Sequence, residues 1–282
     1  MSEPVTVYTP ESALASPRKM LVDMFRDLLR GREMAWRLAV RDIQAQYRQA
    51  LLGILWAFIG PLATTITWVF LSTSGMVAVA KTDVPYPVYV LVGTLLWSIL
   101  TDSMNSVVSQ TNGGRALMAK LNFPREALLL AGVYKQLFHL SIKVVLLLGA
   151  LAWVGVWPGW SLLLVPLAIA SLMLVGTAIG LLITPVGMLY TDVGRITPFV
   201  MNFLMYLTPV VFPVPKEGWV ATLYHVNPFT PLVQTARSWL TGTPADMLVF
   251  FLAVNAAAAC LLLVFWAAWR LAMPIIIERM SA

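Results

Sequence analysis

Long apolar runs, separated by short polar breaks, dominate the chain, and they are longer than soluble secondary structure needs. Windows of about 20 apolar residues, enough to cross a hydrocarbon core of roughly 30 Å, fall near 51–72, 86–107, 137–157, 162–184, 196–213 and 247–269. The pattern predicts an all-α integral membrane protein of one polytopic domain, 51–269, with six transmembrane helices. A polar segment, 1–50, precedes that domain and a tail, 270–282, follows it. An even number of crossings puts both ends on one side.

The basic residues decide which side. Arg18, Lys19, Arg26, Arg30, Arg32, Arg37, Arg41 and Arg48 precede the first span, and Arg115, Lys120 and Arg125 lie between the second and third. Arg195 follows the fourth, and Arg270 and Arg279 follow the sixth, whereas Lys81, Lys216 and Arg237 are all that the opposite side carries. By the positive-inside rule both termini are expected in the cytoplasm.

Two polar regions carry apolar residues at telling positions. In the N-terminal segment Leu21, Met24, Phe25 and Leu28 recur at helical spacing, as do Trp36, Val40, Ile43 and Tyr47. This predicts amphipathic helices lying in the headgroup plane. The external segment Val214–Asp246 is broken by Pro215, Gly218, Pro228, Pro231, Gly242 and Pro244, yet holds Trp219, Leu223, Tyr224, Phe229 and Trp239. Two short helices dipping back toward the membrane, shielded by protein, reconcile those features.

Composition sharpens the class. At 59% hydrophobic and 11% charged, with a mean hydropathy of +0.80, the chain is neither disordered nor an ordinary soluble domain. Its formal charge of +6 follows from the topology-setting residues, so nucleic acid is not an implied partner. The single cysteine, Cys260, has no partner for a disulfide or a paired-cysteine metal motif and is expected to be a small packed residue. The charged opening stretch has no secretory leader pattern, and the run near Leu51 is expected to be the insertion signal.

Catalytic chemistry finds no footing. The two histidines, His139 and His225, fall on opposite sides of the expected membrane, no metal-ligand spacing occurs, and there is no G-x-x-x-x-G-K-[ST] loop. Any ATP must therefore be bound, with its Mg, by another chain. Lys135, His139 and Lys143 do form an i, i+4, i+8 stripe at the start of the third span. Lys143 either snorkels to the headgroups, contacts a phosphate-bearing substrate, or pairs with Asp102, the one acidic residue inside any expected span. A secondary transporter is the rival from composition, weakened by the single carboxylate and the missing repeat. A lipid-modifying enzyme is weakened by the missing site.

Aromatic residues also line up. Tyr86, Tyr89 and Trp97 share a face of the second span, Phe199, Phe203 and Tyr206 share one of the fifth, and Trp56 stands at the first. An interfacial belt accounts for Trp56 and Tyr86. Trp97 and Tyr206 lie deeper, where a face on which sugar rings stack while a polymer slides is the alternative. Gly176 and Gly180, with Thr184 one turn on, allow close helix approach within the chain or between subunits.

Three segments carry a resemblance. RDIQAQYRQALLGILWAFIGPL from Arg41, LNFPREALLLAG from Leu121 to Gly132, and NPFTPLVQTARSWLTG from Asn227 to Gly242 are similar to stretches of ABC exporter permeases of the polysaccharide and polyol-phosphate class. That class comprises the O-antigen, capsule and teichoic acid exporters. YTDVGRI, Tyr190 to Ile196, sits at the family's second cytoplasmic turn, and the likeness covers roughly residues 36–275.

The resemblance implies a homodimer of six-span permeases in the bacterial inner membrane, bound to two copies of a separate ATPase. It implies a cytoplasmic interface helix near the N-terminus and a coupling helix within 114–122, in the loop 108–126, with Arg115, Met118, Lys120, Leu121, Asn122 and Arg125 as docking candidates. Arg125 is equally a topology-setting charge. The short external helices become an outer gate with Trp219, Tyr224 and Phe229, and the aromatic faces become a substrate channel. A lipid-linked glycan would arrive from the inner leaflet with its phosphate near Arg41, Arg48 or Lys143. O-antigen is the preferred cargo, with capsule, teichoic acid, or a drug or heme as alternatives.

Overall fold

A computed structural model describes residues 17–48, 53–120, 124–215 and 217–281. Among the described residues the regular structure is entirely helical: α1 (Pro17–Arg30), α2 (Arg32–Arg48), α3 (Trp56–Thr73), α4 (Tyr86–Gly113), α5 (Arg115–Lys120), α6 (Glu126–Val154), α7 (Val165–Leu189), α8 (Thr191–Tyr206), α9 (Trp219–Val226), α10 (Phe229–Thr241) and α11 (Leu248–Ser281). Short 3₁₀ turns, Gly53–Leu55 and Gly159–Leu164, lead into α3 and α7.

Four of these elements are long and apolar enough to cross a bilayer: Tyr86–Gly113, Glu126–Val154, Gly159–Leu189 and Leu248–Ile276. Two of the six expected spans come out shorter. α3 has 18 residues and α8 has 16, about 27 and 24 Å at 1.5 Å per residue, short of a roughly 30 Å core. α8 stops at Tyr206 rather than 213 because Pro209 disfavours helical backbone at the residue before it. Its unpaired carbonyls are taken up nearby: the Tyr224 hydroxyl donates to Tyr206 O at 3.1 Å and the Asn227 amide to Leu207 O at 2.8 Å. The expected tail from 270 is instead the continuation of α11 to Ser281.

α4 is the hub, packed by α7, α6, α3 and α10. The close contact with α7 depends on glycine. A Cβ at Gly176 would overlap Leu100 O, and one at Gly180 would lie 2.6 Å from Met104 O. The small-residue pair is therefore used inside the chain, and Thr184 completes it by donating to Gly180 O at 2.6 Å.

The two N-terminal helices pack on the long helices of the bundle. α2 does not cross α6 at a point; it follows it, with Gly31 against Ala127, Trp36 edge-on to Tyr134 at 5.8 Å, and Tyr47 beside His139. α1 packs against α6 and sends side chains onto α11, with Met24 fully buried and Phe25 edge-on to Trp266 at 5.2 Å. Arg270 of α11 locks this end. It donates to Asp27 of α1 at 2.6 Å and to the buried Glu126 at the start of α6. A buried carboxylate is tolerable only when so paired.

A polar cleft and the segments around it

Where α2, α3, α4 and α6 meet, the apolar bundle opens into a cleft of about 480 Å³. The lysine stripe lines one wall, because residues four apart on α6 stack on one face. Gln46 and Tyr47 of α2, Pro61 of α3, Ser98, Asp102, Asn105, Ser106 and Ser109 of α4, and Gln136 of α6 supply the rest. Lys143 is the buried end: its ammonium donates to Asp102 Oδ2 at 2.6 Å and to Ser98 Oγ at 2.7 Å. Its side chain is 8% exposed while that of Asp102 is 42% exposed, so the pair sits at the cleft wall with the carboxylate facing the opening.

His139 Nδ1 and the Tyr47 hydroxyl lie 3.1 Å apart, the donor set by the tautomer. Lys135 forms no ion pair among the described residues. The cleft thus holds two ammonium groups, one carboxylate, and an imidazole tied to a phenol. That is an environment for an anionic or strongly polar group; it offers no activated nucleophile. Among the described residues no group of three or more His, Cys, Asp or Glu side chains could hold a metal ion.

Of the expected phosphate contacts, only Lys143 reaches the cleft, and its charge is already engaged by Asp102. Arg41 is exposed and pairs with Asp42 at 2.8 Å, which in turn accepts from Gln110 at 3.0 Å. Arg48 is exposed at the end of α2, away from the lining. Tyr47, which the sequence marks only as part of an amphipathic face, and Asn105, which it does not mark at all, join the cleft once their helices are placed together.

The sequence profile described as ABC-2 type transporter matches residues 34–241, most of the chain. The protein belongs to the ABC-2 type transporter membrane family. It is 26% identical over 224 residues, 77% of this chain and 84% of the relative, to the O-antigen export system permease protein RfbA of Myxococcus xanthus. An O-antigen export system permease protein RfbA of Klebsiella pneumoniae is 20% identical over 71% of this chain and 75% of its own length. The polysialic acid transport protein KpsM of Escherichia coli is 22% identical over 71% and 78%. The family supplies the transmembrane subunit of an ABC transporter, with ATP hydrolysis in a separate subunit. It is a membrane-spanning component and not itself the enzyme.

In this ABC-2 permease a short helix, α5, stands where the resemblance places a coupling helix. Arg115 donates to Asn112 Oδ1 at 2.7 Å, bracing the turn between α4 and α5. Met118 is 8% exposed and belongs to the core cluster that includes Leu128 and Trp269; its side chain faces inward, which removes it as a surface contact in this conformation. Lys120 ends α5 and Arg125 begins the turn into α6, while Leu121 and Asn122 lie outside the described residues.

The expected channel aromatics separate into two groups. Trp97 is buried, edge-on to Phe229 at 5.6 Å. Tyr89 is buried too, its hydroxyl donating to Pro209 O at 3.3 Å, and Tyr86 packs against the same core. Trp97 and Tyr89 thus belong to the subunit's own interior, with Tyr89 also on the wall of a second cavity, and Tyr86 is half-buried at its edge. Phe199, Phe203 and Tyr206 are exposed along α8, Tyr206 resting near Trp68 at 6.0 Å. The side chain of Trp56 lies outside the described residues. Of the gate candidates Trp219 is exposed, Tyr224 is buried, and Phe229 is half-buried against Trp97.

In the sequence Arg237 is only an external charge. In the structure it is the buried fastener of the outer end: Nη1 donates to Pro209 O at 2.7 Å, Nη2 to Val210 O at 2.9 Å, and the guanidinium stacks 3.7 Å above the Tyr89 ring. Burial pulls its pKa down, opposed by Tyr89 and Asp83. The bend after α8 is thereby tied to α4 and α10 together. Gly93 makes room, since a Cβ there would overlap Val210 O and reach within 2.5 Å of the guanidinium.

Proposed function

We propose that the chain is the transmembrane subunit of an ATP-driven exporter that moves a lipid-linked polysaccharide from the cytoplasmic side across the bacterial inner membrane. Family membership supports the exporter. The polysaccharide follows from the relatives whose names specify O-antigen or polysialic acid, and O-antigen is the preferred cargo over capsule or teichoic acid. The observation that carries the reading in this molecule is the polar cleft beside Lys135, His139 and Lys143, where a phosphate-bearing lipid head would be received.

In this reading α3 and α8 complete six crossings with both termini cytoplasmic, and two copies of the chain assemble with two copies of an ATPase that binds ATP and Mg. The apolar exposed residues Ile66 and Phe70 of α3, with Phe199 and Phe203 of α8, form the seam and lining between copies. α1 and α2 face the cytoplasmic interface, α5 with the segment after it docks on the ATPase, and α9 and α10 form the outer gate. ATP binding closes the ATPase pair, α5 moves, and the passage opens. The coupling requires only that open and closed states bind ATP with different affinity.

The test is co-expression with the ATPase encoded beside the gene, purification of the complex, and vanadate-sensitive ATP turnover with and without lipid-linked oligosaccharide. A 2:2 complex stimulated by the glycan lipid, with stimulation reduced at least fivefold by Lys135→Ala, is the expected result. Stimulation by hydrophobic drugs or heme, and none by any glycan lipid, would overturn the polysaccharide reading.

A further inference from the structure

A second cavity, of about 350 Å³, lies at the opposite end of α4 from the cytoplasmic segments, between the residues leading into α4, the face of α10, and the link from α10 to α11. Two exposed carboxylates, Asp83 and Asp246, stand on its lining; Thr235 and Arg237, 1% and 6% exposed, are its buried part. Its size is at the small end of ligand pockets, which run from about 300 to 1,000 Å³.

Three polar atoms on one turn of α10 are buried here without hydrogen-bond partners: Gln234 Oε1, Thr235 Oγ1 and Arg237 Nε. Buried polar groups are normally paired, and a cluster of exceptions beneath a cavity points to an absent partner. Together they ask for a ligand that both donates and accepts. Charge narrows the choice. The carboxylates oppose an anion, while the Arg237 guanidinium opposes a cation. Arg237 has also committed one N–H each of Nη1 and Nη2 to Pro209 and Val210, and Nε–H is its buried donor without a partner. An uncharged molecule rich in hydroxyls meets every one of these conditions, its hydroxyls donating to carboxylate and amide oxygens and accepting from Nε.

We propose that this cavity is a saccharide-binding subsite on the outer side of the permease, which receives uncharged sugar units of the exported chain as they leave. The inference rests on the polysaccharide reading above. It adds a consequence: the residue that would touch the sugar, Arg237, also holds the bend after α8, so occupancy of the cavity and the position of that bend are linked through one side chain.

The experiment uses the whole complex with its ATPase in nanodiscs. The probe is lipid-free oligosaccharide released by mild acid from the surface polysaccharide of the source cell, titrated calorimetrically, with calcium ion and inorganic phosphate as separate probes. The expected result is saturable oligosaccharide binding, weakened at least tenfold by the Asp83→Ala/Asp246→Ala pair, with basal ATP turnover unchanged. Thr243→Trp, which fills the mouth, is expected to do the same and carries the test if the carboxylate variant does not fold. Unchanged binding in both variants, no binding to wild type, or saturable calcium or phosphate binding abolished by the same substitutions would overturn the subsite. Surface display of polysaccharide in cells separates the two levels. Display that depends on the chain, without oligosaccharide binding, sinks the subsite alone; display that is unaffected by deleting the chain sinks the polysaccharide reading with it.

Discussion

α4 and α11 reverse the rule that the most apolar helix is the most buried. α11 carries the most apolar 18-residue stretch of the four long helices, yet 11% of that stretch is buried; α4 carries the least apolar one, and 78% is buried. The physical reason is the solvent. In a membrane the outside is hydrocarbon, so hydropathy reports contact with lipid, whereas a helix inside the bundle is free to hold Ser98, Asp102, Ser103 and Gln110, provided each finds a partner. α4 does so: Ser103 donates to Ile99 O at 2.7 Å, and Asp102 takes Lys143. What holds α4 is close packing on small residues from several sides, whereas α11 packs along α7 and leaves most of its apolar stretch facing outward.

The sharpest way to break this contrast is volume. Gly93→Val in α4 drives a branched side chain into the Val210 carbonyl and the Arg237 guanidinium, and is expected to abolish recovery of folded protein in detergent. Ala257→Leu, on the exposed side of α11, is expected to leave yield and melting temperature unchanged. Size-exclusion profiles of the two variants decide it, and equal recovery would mean that α4 is not the packed hub. Next in size is Trp97→Ala, which removes a buried indole and is expected to cost about 3–5 kcal/mol. Phe199→Ala, 74% exposed on α8, is expected to leave the melting temperature of the subunit alone and to lower export. A Trp97 variant that melts like wild type but fails in export would restore that residue to the passage.

The same contrast explains which features were legible in the sequence. The helical class follows from the length of the apolar runs, the two short helices between 214 and 246 from their proline and glycine breaks, and the amphipathic N-terminal stretches and the Lys135–His139–Lys143 stripe from periodicity, all of which are local signals. Depth and facing are not local. Trp97 and Tyr206 share an aromatic character and comparable positions within their apolar runs, but one is enclosed by α10 and the other exposed, a difference set by tertiary packing. Arg237 gave only a charge to count, because its partners are main-chain carbonyls, which have no signature in sequence. The end of α8 has a local signal in Pro209, which breaks the helix before the apolar run that continues to 213 comes to its end.

A smaller effect tests how α4 pays for its polar residues. Lys143→Met leaves Asp102 facing the cleft alone, and Asp102→Leu leaves a buried ammonium without its carboxylate. The second is expected to be the worse, because the lysine is the desolvated partner, 8% exposed against 42%. Partial exposure of the carboxylate screens the pair, so each single change is expected to cost roughly 1–3 kcal/mol, below the 3–5 of a fully buried pair. The double variant is expected to recover most of the loss in thermal melting, since two apolar side chains at that site leave nothing unpaired. Additive losses would show that each residue is held by something other than its partner.

The smallest expected effect falls on α11. Cys260 was expected to be packed and is instead exposed, as an apolar side chain on a lipid-facing helix is free to be. Cys260→Ser is therefore expected to shift stability by less than about 0.5 kcal/mol, and the wild-type thiol is expected to react with a membrane-permeant maleimide but not with a charged one added from either side. The asymmetry matters more than the reaction: lipid excludes the charged reagent where water would admit it. A thiol that reacts equally with both places that face of α11 against water, and the contrast with α4 then fails at its simpler end.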